Sequence, residues 1–273
     1  MAIDPRHVAF FIPPGLKKFK LALFERIANH IAKLGGVVVR HNYDELERAA
    51  RQLMPIVGCS PPFANAIRRW QADGTRWIYW DRGYLRRVFA TWLPNGHDMG
   101  VPGGFYRWQV GGFQMNRVRP VPDDRWRSLK LNGAVKPWRK NGKHIVVAHT
   151  LPDYWDLRGL SRNWSFEIAD SLKRYTKRPI VVRDKESKKP LDEELADAHA
   201  LVTHGSIAAV EAVVMGCPVF VHHTSAAAFM GLTDLSLIEA PIYPNRERWL
   251  HSLAYSQFNE AELCDGTLWG LIE

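Results

Sequence analysis

The alternation of apolar and polar positions is most regular in the second half of the chain. HIVVAHT (His144–Thr150) is an apolar run rich in β-branched residues and predicts a buried strand. Asn163–Thr176 places Trp164, Ile168, Leu172 and Tyr175 on one helical face. RPIVVRD (Arg178–Asp184) predicts the next strand and Leu191–Ala198 a short acidic helix. His199–His204 reads as a strand, Ile207–Met215 as a helix of small apolar residues, and Cys217–His222 as a further strand. Amphipathic helices over Arg246–Gln257 and Glu260–Leu271 are expected to close the chain. Strands alternating with helices predict parallel βαβ units.

The first half starts in the same way. A strand is expected over His7–Ile12, a helix over Phe19–Leu34 stopped by Gly35-Gly36, and a second strand over Val37–His41. Leu53–Gly58 and Thr75–Asp81 read as two more strands. Residues 94–140 then lose all period and become rich in Gly, Pro, Arg and Trp, which suggests functional loops or an insertion. A boundary is expected in KPWRKNGK (Lys136–Lys143). The fold class that follows is α/β with two Rossmann-like domains. Residues 1–140 would form one, with an irregular 94–140 segment, and residues 141–273 the other, with the closing helices.

Composition narrows the function classes. HVAFFIPP, broken by Pro13-Pro14, is too short for a membrane span or a signal peptide, and no other apolar run approaches 18 residues. Cys59, Cys217 and Cys264 are odd in number and lack metal-ligand spacing, as in a reducing compartment. The expectation is a soluble, cytoplasmic protein. The formal charge of +9 is unevenly spread. Residues 1–143 carry 25 Lys and Arg against 10 Asp and Glu, and residues 144–273 carry 12 against 18. The basic half suits an anionic partner.

The densest chemistry lies in VTHGSIAAVEAVVMGCPVFV (Val202–Val221). In an open parallel sheet, ligands bind beyond the carboxyl ends of the strands. Gly205 and Ser206 fall at such an end, where a helix begins, and free backbone N–H groups there suit a phosphate. Gly-Ser is also an ordinary helix start. Glu211 stands five residues after Ser206, too far for a capping box. It sits roughly 7 Å along the helix axis, about the distance from a nucleotide's phosphates to its ribose hydroxyls. A carboxylate there could accept from two vicinal hydroxyls, or simply face solvent.

Glu211-Ala212-Val213-Val214-Met215-Gly216-Cys217-Pro218-Val219 resembles the E-A-x-x-x-G-x-P-V signature in the nucleotide-sugar domain of GT-B glycosyltransferases. The block Ala198–Val221 is similar to small GT-B-like proteins of bacteriophage genomes and bacterial surface-saccharide loci. Thr233–Glu239, Trp249-Leu250 and Leu253–Phe258 share the likeness, and Tyr79–Tyr84, Tyr106-Arg107 and Phe113-Gln114 share it more loosely. The resemblance implies a cleft between two domains, a glutamate on the donor ribose and a preceding turn on the diphosphate. Two departures stand out. The retaining branch often has a second glutamate eight positions before the first, where this chain has Thr203, and 273 residues is short for a two-domain GT-B enzyme; no Asp-X-Asp occurs, which counts against a metal-dependent GT-A alternative.

The donor-side candidates are Arg183, His204, Gly205, Ser206, Glu211, Thr224 and Ser225, with His149-Thr150 also at a strand end. Arg183 would meet the diphosphate. His222-His223 lacks further ligands, so no metal is assigned. The expected donor is a UDP-sugar, with no tightly bound cofactor. Asp81, at a strand end and flanked by Arg82, Arg86 and Arg87, is the candidate general base, or else a plain ion pair. Asp98, Asp123 and Asp124 are its rivals. Arginines alternating with tryptophans (Arg107-Trp108, Arg125-Trp126-Arg127, Trp138-Arg139) suit phosphate contact and stacking on an extruded base, or else fill a core. Arg82, Arg86, Arg87, Arg107, Arg125 and Arg127 are therefore the nucleic-acid candidates. The expected acceptor is hydroxymethylated pyrimidine in double-stranded phage DNA. The alternatives are a surface-polysaccharide glycosyltransferase and a non-catalytic nucleotide- or DNA-binding module.

Overall fold

The computed structural model describes residues 3–58, 63–85, 104–150, 152–184, 187 and 189–272. Cys59, Arg86, Arg87, Asp98, Lys185 and Lys188 lie outside them. The chain is mixed α/β with two sheets, and it divides into two compact units.

The first unit begins with β1 (Val8–Ile12), α1 (Lys18–Lys33), β2 (Val37–Arg40), α2 (Tyr43–Ala49), β3 (Met54–Val57), α3 (Phe63–Asp73), β4 (Ile78–Arg82) and β5 (Phe105–Val110). The second comprises α4 (Asp124–Ser128), β6 (His144–Ala148), α5 (Pro152–Arg158), α6 (Trp164–Leu172), β7 (Ile180–Arg183), α7 (Leu191–Leu195), β8 (Ala198–Thr203), α8 (Ala208–Val214), β9 (Val219–Val221) and α9 (Glu247–Ala254). The chain then returns to the first unit with β10 (Gln257–Asn259), α10 (Glu260–Cys264) and α11 (Thr267–Leu271).

The second unit has the all-parallel order β7-β6-β8-β9. Every residue of β8 and β9 is buried, as a strand covered on both faces requires. The first unit repeats that order as β2-β1-β3-β4 and then departs from the expected parallel sheet. Two antiparallel strands, β5 and β10, extend it. The strand β5 falls inside the stretch expected to be irregular.

The domain limits differ from the expected division at 140. Gln114–Ala254 forms the second unit, and the segment from Tyr255 belongs to the first. The reason is physical. Phe258, Leu263, Leu268, Trp269 and Ile272 fill the same core as Phe10, Trp80 and Trp108. The Gln257 side-chain oxygen accepts from the backbone N–H of Tyr84 (2.8 Å) and of Leu85 (2.9 Å). The final turn of the expected helix over Arg246–Gln257 is therefore drawn into a sheet.

Gly216 explains one residue of the signature without reference to any ligand. It ends α8 with φ +76°, and a Cβ there would collide with the Pro137 carbonyl. The Arg139 N–H donates to Gly216 O at 2.7 Å, so the segment before β6 is strapped across the end of α8. Next to it, Cys217 is fully buried, and burial pushes its thiol up to about 12.

Candidate functional site

In the second unit β6 lies between β7 and β8, since the chain runs from β6 to β7 on one side and the next crossover returns past β6 to β8 on the other. The crevice of such a sheet opens at the carboxyl ends of β6 and β8. Thr203 Oγ1 closes its floor by donating to Ala148 O at 2.9 Å. His149 leaves β6 on one side and His204-Gly205-Ser206 leave β8 on the other.

Four basic side chains converge here. The His204 imidazole is buried and stacks on His222 with centroids 4.3 Å apart, and His222 lies 4.0 Å from His223. The Trp164 ring meets His204 edge-on at 6.0 Å. Arg158, at the end of α5, is close enough to act on both His204 and His222. Burial, then His222, Arg158 and His223, push His204 down to about 3. Burial, His223 and Arg158 push His222 down as well. Beside the guanidinium the His204 and His222 imidazoles are held neutral. An arriving phosphate or carboxylate would restore their affinity for protons and gain a cationic cradle.

The flank at His149 is aromatic. Its Nδ1 pairs with Ser165 Oγ, and its ring meets Trp155 at 4.1 Å and Phe166 at 6.2 Å. Phe166 is 56% exposed, whereas Trp155 is buried. Burial lowers the His149 pKa.

The turn after β8 is held from behind. Gln114, itself buried, donates through Nε2 to Gly205 O and accepts through Oε1 from Ala226 N at 2.8 Å. Ser206 Oγ accepts from Ala208 N at 3.3 Å. Glu211 is half-buried and shares the least buried stripe of α8 with Ala208 and Met215. It is therefore not sealed among the alanines and valines around it.

Several expected donor contacts are placed otherwise. The Arg183 guanidinium does not project beyond the strand. Its Nη1 donates to Glu194 Oε2 at 2.6 Å and to Lys189 O at 2.8 Å, because Glu194 is buried and needs a cation. Ser225 is 1% exposed, and its hydroxyl caps the turn after β9 by accepting from Ala227 N. Thr224 Oγ1 pairs with His222 Nδ1 at 2.9 Å. The structure thus brings His204, Gly205, Ser206 and Thr224 together around His222, and turns Arg183 and Ser225 to structural work. Arg158 and Gln114 were not among the sequence candidates. Arg158 ends a helix whose period the sequence barely shows, and Gln114 stood only within a loosely similar segment.

In the first unit Asp81 and Arg107 form an ion pair, the alternative expected for Asp81. Arg107 Nη2 donates to Asp81 Oδ2 at 2.7 Å, Nη1 to Arg82 O at 2.6 Å and Nε to Phe113 O at 3.1 Å. Its side chain is 6% exposed and lies against the rings of Tyr79 and Tyr84. Asp81 also accepts from Tyr79 Oη and from the N–H of Arg82. The cross-strand register Asp81 to Arg107 imposes this pairing.

The expected alternation of arginine and tryptophan for DNA is likewise corrected. Trp108 and Trp126 are buried. Arg125 Nε donates to Ala254 O, and the exposed Arg127 pairs with Asp123 one helical turn away. Large rings leave water wherever a core can take them. Among the described residues no group of three His, Cys, Asp or Glu could hold a metal ion, and no helix is long and apolar enough to cross a membrane.

No protein-family model and no curated relative matches the chain. Among solved structures it is similar to the beta Kdo 2,7 transferase of Thermosulfurimonas dismutans KpsC, with TM-score 0.55 and 12% identity over 95% of this chain and 99% of that one. The chain has a glycosyltransferase-like fold. The beta Kdo 2,4 transferase of the same KpsC aligns over 95% and 98% of the two chains at 12% identity, with TM-score 0.49.

Proposed function

We propose that this glycosyltransferase-like chain transfers a sugar from a nucleotide-activated donor to a surface-saccharide acceptor, with its two units serving as the two domains of a GT-B-like enzyme. The observation that carries the proposal is the cradle of Arg158, His204, His222 and His223 at the switch point of the second sheet. In glycosyl transfer the leaving nucleotide phosphate gains negative charge as the anomeric bond breaks. A guanidinium, with the His204 and His222 imidazoles taking up protons as that charge appears, stabilises the transition state more than the ground state. Ser206 and the Gly205 backbone would fix a phosphate oxygen, Thr224 would orient His222, and Glu211 would accept from the ribose hydroxyls. Phe166 offers an exposed ring to the base.

The saccharide acceptor takes precedence over DNA for two reasons. The solved transferase that shares the fold at TM-score 0.55 is named for Kdo transfer. The DNA reading rested on the basic charge of the first half and on alternating arginines and tryptophans, and of these Arg107, Trp108 and Trp126 are internal. The test is a transfer assay with cytidine-, uridine-, guanosine- and thymidine-activated sugars, activated Kdo included, against bacterial oligosaccharides and hydroxymethylated DNA. Transfer to saccharide that collapses in His222→Ala is the expected result. Transfer to DNA alone, or no nucleotide-sugar binding at all, would overturn it.

A further inference from the structure

The second unit carries a groove of about 570 Å3 that the donor cradle does not use. It lies at the far end of α8. Lys136 N donates to Val214 O and Arg139 N to Gly216 O, so the wall bearing Trp138 runs past the helix's last residues, whereas Gly205-Ser206 precede its first. The seven residues between span roughly 10 Å.

The groove's walls are aromatic and rigid. Trp138 and Tyr243 meet at 67° with centroids 6.2 Å apart, forming a corner. The indole N–H of Trp138 is tied to Pro244 O at 2.9 Å, and the Arg246 guanidinium packs over its ring at 4.5 Å. Arg246 is itself fixed to Val213 O and Lys136 O. Tyr243 is 37% exposed. The same groove is lined by Glu247 and His251, one turn apart on α9, and by Asn245 just before them. The Asn245 amide oxygen accepts from Glu247 N at 2.8 Å, which leaves its Nδ2 to face the groove's ligand.

We infer that this groove is a saccharide-binding site separate from the donor cradle, one that holds a distal residue of the acceptor glycan. The inference rests on the saccharide reading for its ligand class. A pyranose has a C–H face and a rim of hydroxyls. The aromatic corner covers the former, while a carboxylate, an imidazole and an amide meet vicinal hydroxyls on the latter. Because the walls are already fixed, binding orders few protein side chains.

The test is titration of the full chain, without donor, with maltohexaose, chitohexaose and a heparosan hexasaccharide. Tryptophan fluorescence and saturation-transfer NMR would be the readouts, with a duplex DNA as control. One of the glycans is expected to bind. Tyr243→Ala and Glu247→Gln are each expected to weaken it about tenfold, a loss of ~1.4 kcal/mol, while nucleotide binding at the cradle is unchanged. Trp138→Ala should abolish glycan binding. Trp138→Phe keeps an aromatic wall and reports on folding through its melt. Binding of none of the glycans, glycan binding that survives Tyr243→Ala and Glu247→Gln, or a response to DNA alone would overturn the inference. Glycan binding here without any nucleotide-sugar binding would sink the enzymatic reading and leave the groove standing.

Discussion

Replacing Arg107 by Met separates a structural arginine from a DNA-binding one. The substitution removes three hydrogen bonds from a side chain that is 6% exposed, at 2.7, 2.6 and 3.1 Å. It leaves the Asp81 carboxylate without its cation and the carbonyls of Arg82 and Phe113 without this donor. Breaking a buried pair costs about 3–5 kcal/mol. Asp81 retains a third of its exposure, so screening favours the lower end, about 3 kcal/mol. For a unit of this size that corresponds to a fall in Tm of about 10 °C. Trp77, Trp80 and Trp108 lie in the same unit's interior and report its unfolding by fluorescence during a thermal melt. A cycle with Asp81→Asn should return a coupling of about 1 kcal/mol or more. A phosphate-contacting arginine behaves differently. Its loss leaves the melt in place and lowers the salt slope of DNA binding by about 1. If Arg107→Met melts within 1 °C of the parent and binds DNA less steeply with salt, the internal pairing is refuted.

Other consequences follow from the second unit. Gly216→Ala forces a side chain into a left-handed backbone and against the Pro137 carbonyl, and should lower stability by about 2–4 kcal/mol in a urea melt. Arg158→Gln removes the fixed charge of the cradle. It should weaken nucleotide binding about tenfold or more by calorimetry while moving the melt little, because Arg158 ends its helix at a half-buried position. His204 sits at about 3 in the folded chain against about 6.5 unfolded. Between those values only the unfolded chain holds the proton, so stability falls as pH drops below about 6.5. At pH 5 the loss is at most about 2 kcal/mol, and about 1 after solvent screening, and His204→Gln should flatten the dependence. Nucleotide binding should take up protons, seen as a buffer-dependent heat in calorimetry, since an anion offsets the burial and the repulsion from His223 and Arg158 that lower the His222 pKa.

The strands of the second unit were legible because each is a short apolar run between turn signals, and a strand buried on both faces demands that pattern. The site was legible only in part, and the difference lies in what a position in sequence can reveal. Gly205 and Ser206 announce a strand end by their residue types alone. Arg183 sits at an equally good strand end, yet its direction is set by Glu194, eleven residues on and buried. Nothing local in the sequence states that burial. Arg158 shows the converse, since it reaches the cradle from a helix with little amphipathic signal.

The tryptophans mark the same limit. Arg107-Trp108 reads as one polar and one stacking residue, but neighbours on a strand point to opposite faces. Trp108 enters the core with Phe10, Trp80 and Trp269, and Arg107 faces Asp81 across the strand pair. Trp269 arrives from the last helix, some 160 residues later, so no local window could show that this core needed the ring. Charge counted along the chain carries the same weakness. The excess of arginine in the first half includes side chains, Arg107 among them, whose charge is consumed inside the fold. A basic half therefore argues for an anionic partner only through those cations left at the surface after the internal pairs are removed.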